Sequence, residues 1–145
     1  MYTDKTKWQN IAMNRLSGKA RCVAVNEAGL LISEKRGILP MIEWLEEDPE
    51  CLRGASVADR IVGRAAAMIM VHAGVSEVYA SVVSNGALDL FKQYDISCRY
   101  SNTTIAISNR RGDGICPMEQ TVQNIDDPDL AYEALWETRK KLQAK

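Results

Sequence analysis

The stretch ASVADRIVGRAAAMIMVHAGVSEVYASVV, residues 55–83, decides the fold. Its first residues, Ala55 to Ala58, read as a very short buried strand. Asp59 follows as an N-cap, and a long apolar helix runs on to His72-Ala73-Gly74. Glu77 to Val83 is rich in β-branched and aromatic residues and reads as the next strand. Strand, helix and strand in so short a span form a parallel β-α-β unit with its crossover helix laid on the sheet.

Toward the N-terminus, Trp8, Ile11, Ala12 and Leu16 share one helical face, and Gly18 ends a first helix at Lys5 to Leu16. Arg21 to Val25 and Leu30 to Ser33 are β-prone runs joined by the turn Asn26-Glu27-Ala28-Gly29, which predicts a hairpin. Ile38, Met41, Ile42 and Leu45 give a second helical stripe, entered through Gly37 and Pro40 and closed near Asp48-Pro49. Toward the C-terminus come a helix at Asn85 to Tyr94 and extended runs at Ile96 to Tyr100 and Thr104 to Ile107. Two more helices begin at Pro117 and Pro128, the second capped by Asp126-Asp127. A hairpin followed by β-α-β-α-β predicts a single α/β domain over 1–145, a three-layer sandwich with a mixed sheet, with helical ends at 1–18 and 128–142.

A chain of 145 residues suits one domain with a substantial core. The formal charge of −1 gives no basic surplus and no segregated basic patch, so nucleic acid is not expected as a partner. The start has no apolar leader, and the longest purely apolar run, Ala65 to Val71, is far short of the roughly 20 residues that span a bilayer. A soluble cytoplasmic protein is therefore expected, with no membrane partner. Cys22, Cys51, Cys98 and Cys116 include no C-x-x-C pair and read as reduced thiols, Cys22 and Cys98 as small buried hydrophobes.

Two segments carry chemistry. In the first, Arg110-Arg111-Gly112-Asp113-Gly114-Ile115-Cys116-Pro117-Met118-Glu119, a basic glycine-rich loop ends in a thiol at an N-cap. Proline suits the first helical position, Glu119 can cap backward, and the free N–H groups of that turn would favour a thiolate. In the second, Asp59, Arg60 and Arg64 stand at a tight strand-to-helix turn. Cations there oppose the helix dipole by about 0.3–1 kcal/mol each, so an anion clamped between the two arginines would compensate. The plainer alternative pairs Arg60 with an acid and lets Arg64 snorkel. Gly63 within a helix points to close packing or ligand approach. His72, the sole histidine, sits in a last helical turn, where the dipole explains it without catalysis. Ligands of open α/β sheets gather at the carboxyl ends of parallel strands, which adds Ser84, Asn85 and Gly86 to the crevice.

The combination Ala58-Asp59-Arg60-x-x-Gly63-Arg64-Ala65-Ala66, Gly112-Asp113-Gly114-Ile115-Cys116-Pro117-Met118-Glu119 and Ile125-Asp126-Asp127-Pro128 resembles an uncharacterised bacterial family of unknown function with a cytidine-deaminase-like fold. The likeness runs from about Val23 to Leu135. It implies an α/β/α sandwich, a five-stranded sheet in the order 2-1-3-4-5, and lysines where this chain has Arg60 and Arg64. Zinc deaminases need His or Cys with a Glu on one helix and Pro-Cys-x-x-Cys on the next. The corresponding helix starts here, Gly37-Ile38-Leu39-Pro40 and Ala58-Asp59-Arg60-Ile61, bind no zinc, and Cys116-Pro117 has the order reversed. Zinc-dependent deamination, a metal and a cofactor are therefore not expected.

The leading expectation is a binding domain or enzyme for a small anionic molecule, nucleotide-like ligands included. Asp59 and Cys116 are the candidate catalytic groups, and Arg60, Arg64, Ser84, Asn85, Gly112, Asp113 and Gly114 the candidate ligand-binding ones. A thiol enzyme or redox sensor using Cys116 is the second, and a non-catalytic structural or interaction module, with a homo-oligomer through its Trp-bearing helices, the third.

Overall fold

A computed structural model describes residues 5–108, 111, 112 and 114–143. The elements in chain order are α1 (Lys5–Arg15), β1 (Cys22–Asn26), β2 (Gly29–Ser33), α2 (Leu39–Glu47), β3 (Ser56–Val62), α3 (Arg64–Ala73), β4 (Glu77–Ser84), α4 (Asn85–Gln93), β5 (Ser97–Thr104), α5 (Pro117–Val122) and α6 (Pro128–Gln143). The five strands form one sheet in the order β2-β1-β3-β4-β5. β1 pairs antiparallel with both β2 and β3, and β3, β4 and β5 run parallel, so the sheet is mixed as the sequence implies.

The layers are unequal. Among the described residues, α1 alone covers one face, over a small core of Ala12, Val23, Val25 and Ala58 joined by Trp8, Ile11 and Tyr79. The other face carries the main core, which includes Val57, Val78, Met41, Ile42, Phe91 and Leu135. α3 lies inside this second layer, packed against α4, α5 and α6. Its residues Ala65 to Met70 are all buried, as expected of a helix that is apolar on every side. Three consecutive alanines give its first turn the slim profile that lets neighbouring helices close on it. Gly74 ends it at φ 80, the left-handed conformation that glycine adopts without a Cβ penalty.

Two boundaries differ from the sequence reading. β3 does not stop at Ala58: it continues to Val62, so Asp59 and Arg60 are strand residues and Gly63 is the N-cap of α3. The reason is pairing on both sides, with Asp59 opposite Cys22 of β1 and Ala80 of β4, and Ile61 and Val62 opposite Val82 and Val83. A ladder of this kind overrides the capping preference of an isolated aspartate. β5 fills the gap between the two expected extended runs and stops at Thr104, leaving residues 105–107 outside the strand, because its ladder to β4 runs from Glu77–Ser97 to Ser84–Thr104. Among the described residues no helix is long and apolar enough to cross a membrane.

Candidate functional site

At the carboxyl ends of β3 and β4 the chain turns into α3 and α4. The first turn of an isolated helix leaves backbone N–H groups without acceptors and carries the positive end of the dipole. In α3 both needs are met by Glu119 of α5. Its Oε1 accepts from the Arg64 N–H at 2.9 Å and its Oε2 from the Ala65 N–H at 2.6 Å. The carboxylate lies so close to the backbone that a Cβ on Gly63 would stand 2.1 Å from Oε1 and 2.6 Å from Cγ1 of Ile107. Glycine at position 63 is thus a matter of space. Sequence reasoning set Glu119 to cap its own helix; it caps a helix more than fifty residues earlier in the chain.

Arg64 answers in the opposite direction. Its Nε donates to the Val122 carbonyl at 3.3 Å, and Nη2 to the Ile125 carbonyl at 2.8 Å and to Asp126 Oδ1 at 3.2 Å. These are the groups at and beyond the C-terminal end of α5, where a cation is favoured. The cation that opposes the dipole of α3 is therefore spent on α5, and the compensating anion is Glu119.

Arg60 goes elsewhere. Standing on β3, it donates through Nη2 to the carbonyls of Gly18 and Ala20 and ties down the connection between α1 and β1. The expected clamp, with Arg60 and Arg64 on one helical face, does not form, because only Arg64 belongs to the helix.

Asp59 is buried beneath this region. Its Oδ1 accepts from the Arg60 N–H at 2.8 Å, and Oδ2 has no hydrogen-bond partner among the described residues. Burial pushes the Asp59 carboxyl up to about 8, against smaller opposing effects from the Arg60 N–H and the Cys22 thiol across the strand pair. Burial and the same aspartate push the Cys22 thiol well above its usual value.

The rest of the rim is placed as follows. Ser84 is buried and N-caps α4, its Oγ accepting from the Ala87 N–H at 3.1 Å. Asn85 opens that helix and is exposed; a Cβ on Gly86 would meet Cβ of Arg64 at 4.0 Å, so the two helix starts are neighbours. After β5 the chain folds back, with a bridge between Ser108 and Ile115 and a 3.1 Å bond from the Cys116 N–H to the Ile107 carbonyl. Cys116 is half-buried at the N-cap of α5 and makes no side-chain cap bond there. Ile107 and Glu119 both touch the Gly63 backbone, so this return brings Cys116 to the same end of the sheet as Arg64, a geometry the sequence left open. Gly112, at φ 74, and Gly114 are exposed, and Asp113 lies outside the described residues. His72 is at the far end of α3, eight residues and so roughly 12 Å along the axis from Arg64. It bonds Asp129 through Nδ1 at 2.6 Å and stacks on Tyr132 at 4.4 Å.

Two hollows among the described residues lie at the other end of the sheet, where the sequence points to no site. One, of about 270 Å³, is lined by Ala24, Asn26, Leu31, Trp44, Asp48 and Cys51, among others; a larger, more open one of about 650 Å³ by the hairpin turn involves Trp8, Arg53 and Ser76. Their residues come from the hairpin, from α2 and the connection after it, and, in the second hollow, also from Trp8 of α1 and Ser76 before β4. Among the described residues no group of three or more His, Cys, Asp or Glu is placed to hold a metal ion.

A family model described as a domain of unknown function, DUF1893, matches residues 11–138. The crystal structure of a DUF1893-family protein from Thermotoga maritima superposes with a TM-score of 0.82 at 25% sequence identity, over 94% of this chain and 92% of that one. No curated protein matches. The family match takes in the whole sheet, the Gly63 approach and both partners of the Glu119–Arg64 exchange, and on it the chain belongs to the DUF1893 family.

Proposed function

We propose that this DUF1893 domain binds a small anionic molecule at the carboxyl end of β3, with Glu119 as an internal occupant that the ligand displaces. The observation that carries the reading is the geometry at the start of α3. Two adjacent backbone N–H groups hold both oxygens of one carboxylate, and the residue before them is a glycine that leaves room for it. A helix start arranged in this way accepts a carboxylate or a phosphate oxygen on the same terms. Displacing Glu119 would free α5 and the return loop through Gly112 and Gly114, and would open a rim containing Cys116, Ser84 and Asn85. Arg64, released from the end of α5, would supply the charge. This is a narrower site than the Asp59–Arg64 clamp, since Arg60 is engaged on the other side of the sheet. The wider reading places the domain in the cytoplasm, with a cytidine-deaminase-like fold and without deaminase chemistry.

The test compares the native chain with Glu119→Ala in a thermal-shift series of acetate, phosphate, phosphorylated sugars and nucleotides. The variant exposes the cradle, so acetate and phosphate should stabilise it saturably. The native chain should respond to a larger anion that makes further contacts. Saturation at a hundred times the dissociation constant adds about 2.7 kcal/mol. Rescue of the variant by acetate with a flat series for the native chain would make the cradle a structural lock and end the proposal.

A further inference from the structure

We infer that two copies of this chain associate through β2, edge to edge and antiparallel about a two-fold axis at Leu31, joining their sheets into one. β2 is an edge strand, paired on one side only, with β1. The two-residue turn Glu27-Ala28 closes on the Asn26–Gly29 pair, and in such hairpins the closing pair is hydrogen-bonded. Alternation then turns the backbone groups of Gly29, Leu31 and Ser33 toward β1 and those of Leu30 and Ile32 toward the open edge. Among the described residues, no hydrogen bond outside the β1 ladder takes them up.

Edge strands are normally guarded against pairing by charge, proline or a bulge. The two edges of this sheet differ in this respect. β5 reads Ser-Cys-Arg-Tyr-Ser-Asn-Thr-Thr, polar with Arg99 near its start, whereas β2 reads Gly-Leu-Leu-Ile-Ser, with no charge, proline or bulge. Leu30 and Ile32 are 39% and 43% exposed; opposite Val25 and Val23 they lie on the face that α1 covers, where its main contacts are with β1, β3 and β4.

A second copy is the occupant because the segment is self-complementary. With Leu31 on the axis, Leu30 meets Ile32 of the second copy and Leu31 meets Leu31. Glu27 and Lys35 stand at equal distances on either side of Leu31, so each acid faces a base of the other copy at both ends. Lys35 already holds Glu43 at 2.8 Å on an exposed surface and would gain a second acid there. Pairing of Leu30 with Ile32 in this register forms two narrow pairs, each exchanging N–H and C=O bonds. The contact is separate from the anion site, which lies two strands away at the carboxyl end of β3.

Sedimentation velocity on the full chain over a wide concentration range tests this, with Ile32→Lys and Leu31→Cys beside the native protein. The native chain should show a monomer–dimer equilibrium. Ile32→Lys, an exposed edge substitution, should raise the dissociation constant roughly a hundredfold, because the axis applies the change twice. Leu31→Cys should form a 31–31 disulfide between copies under mild oxidation, since opposed residues of a non-hydrogen-bonded pair are about 4.5 Å apart at Cα. A native chain that stays monomeric throughout overturns the inference. So does a dimer that persists without a 31–31 bridge, and that measurement decides even if the lysine variant fails to fold.

Discussion

Glu119 and Arg64 serve each other's helices: the carboxylate from α5 caps the start of α3, and the guanidinium from α3 caps the end of α5. The two side chains do not pair as an ordinary ion pair. Each instead meets the helix end whose partial charge is opposite to its own, which fixes the angle and register of α5 against α3. A six-residue helix has too little internal hydrogen bonding to persist alone, so α5 depends on this exchange and on buried Val122.

The exchange predicts a particular pattern of stability loss. Glu119→Ala leaves two backbone donors without their acceptor and should cost about 1–2 kcal/mol. Gly63→Ala should cost at least as much, because its Cβ cannot coexist with the carboxylate or with Ile107 where they now lie. The double variant should cost clearly less than the sum, since the carboxylate clash is gone once Glu119 is removed. Urea denaturation of the four proteins checks this; strict additivity would mean that the two positions do not share one space.

Arg60 and Arg64 should behave as unrelated residues. Arg60→Ala should lower stability by about 0.5–1.5 kcal/mol and speed hydrogen exchange in the segment from Leu16 to Arg21, while leaving anion binding unchanged. Arg64→Ala should speed exchange in α5 and in residues 123–127 and weaken any anion response. Exchange measured by mass spectrometry on both variants separates the two effects, and coincident patterns would refute the assignment.

How much of this was legible in the sequence depends on the range over which the cause acts. The hairpin turn, the Gly74 stop and the proline starts of α5 and α6 are local and were readable, as was the capping by Asp127, whose Oδ1 accepts from the N–H groups of Asp129 and Leu130. Asp59 suits a cap by its neighbours in the chain, whereas its neighbours in space are two strands. Glu119 is the same case: its spacing from Cys116 is right for a local capping box, but the fold offers a start of α3 that has no capping side chain of its own. Gly63 was read as a sign of close approach, and that signal held even though the helix begins after it. The cavity by Trp44 has no local signature, because its walls come from two stretches distant in sequence, the hairpin and the end of α2 with the loop after it.

The cysteines should separate by burial in the native state. Cys22 is 1% exposed and its thiol is held well above the usual value, so it should resist iodoacetamide until the protein unfolds. Burial also pushes the Cys98 thiol up to about 11, which leaves very little thiolate at neutral pH. Peptide mapping after timed alkylation at pH 8 should find Cys22 and Cys98 modified last. Early labelling of Cys22 would mean that β1 and β3 separate readily at that pH.

Asp59 makes stability depend on pH in an unusual direction for a carboxylate. Its folded value, about 8, lies above the unfolded value near 3.9, so the folded chain holds a proton that the unfolded chain releases between those limits. The folded state binds more protons there, and stability from this group must fall as pH rises from about 4 to about 8, by at most about 1.4 kcal/mol per pH unit, then level off. Asp59→Asn keeps the shape and the acceptor for the Arg60 N–H while removing the ionisation. It should flatten that slope and be more stable than the native chain at pH 8 to 9, with little difference near pH 4. Denaturation midpoints at one-unit intervals from pH 4 to 9 give the comparison. Parallel curves for the two proteins would mean that the Asp59 carboxyl ionises in the folded chain as it does in the unfolded one, and that the buried Oδ2 is reached by water.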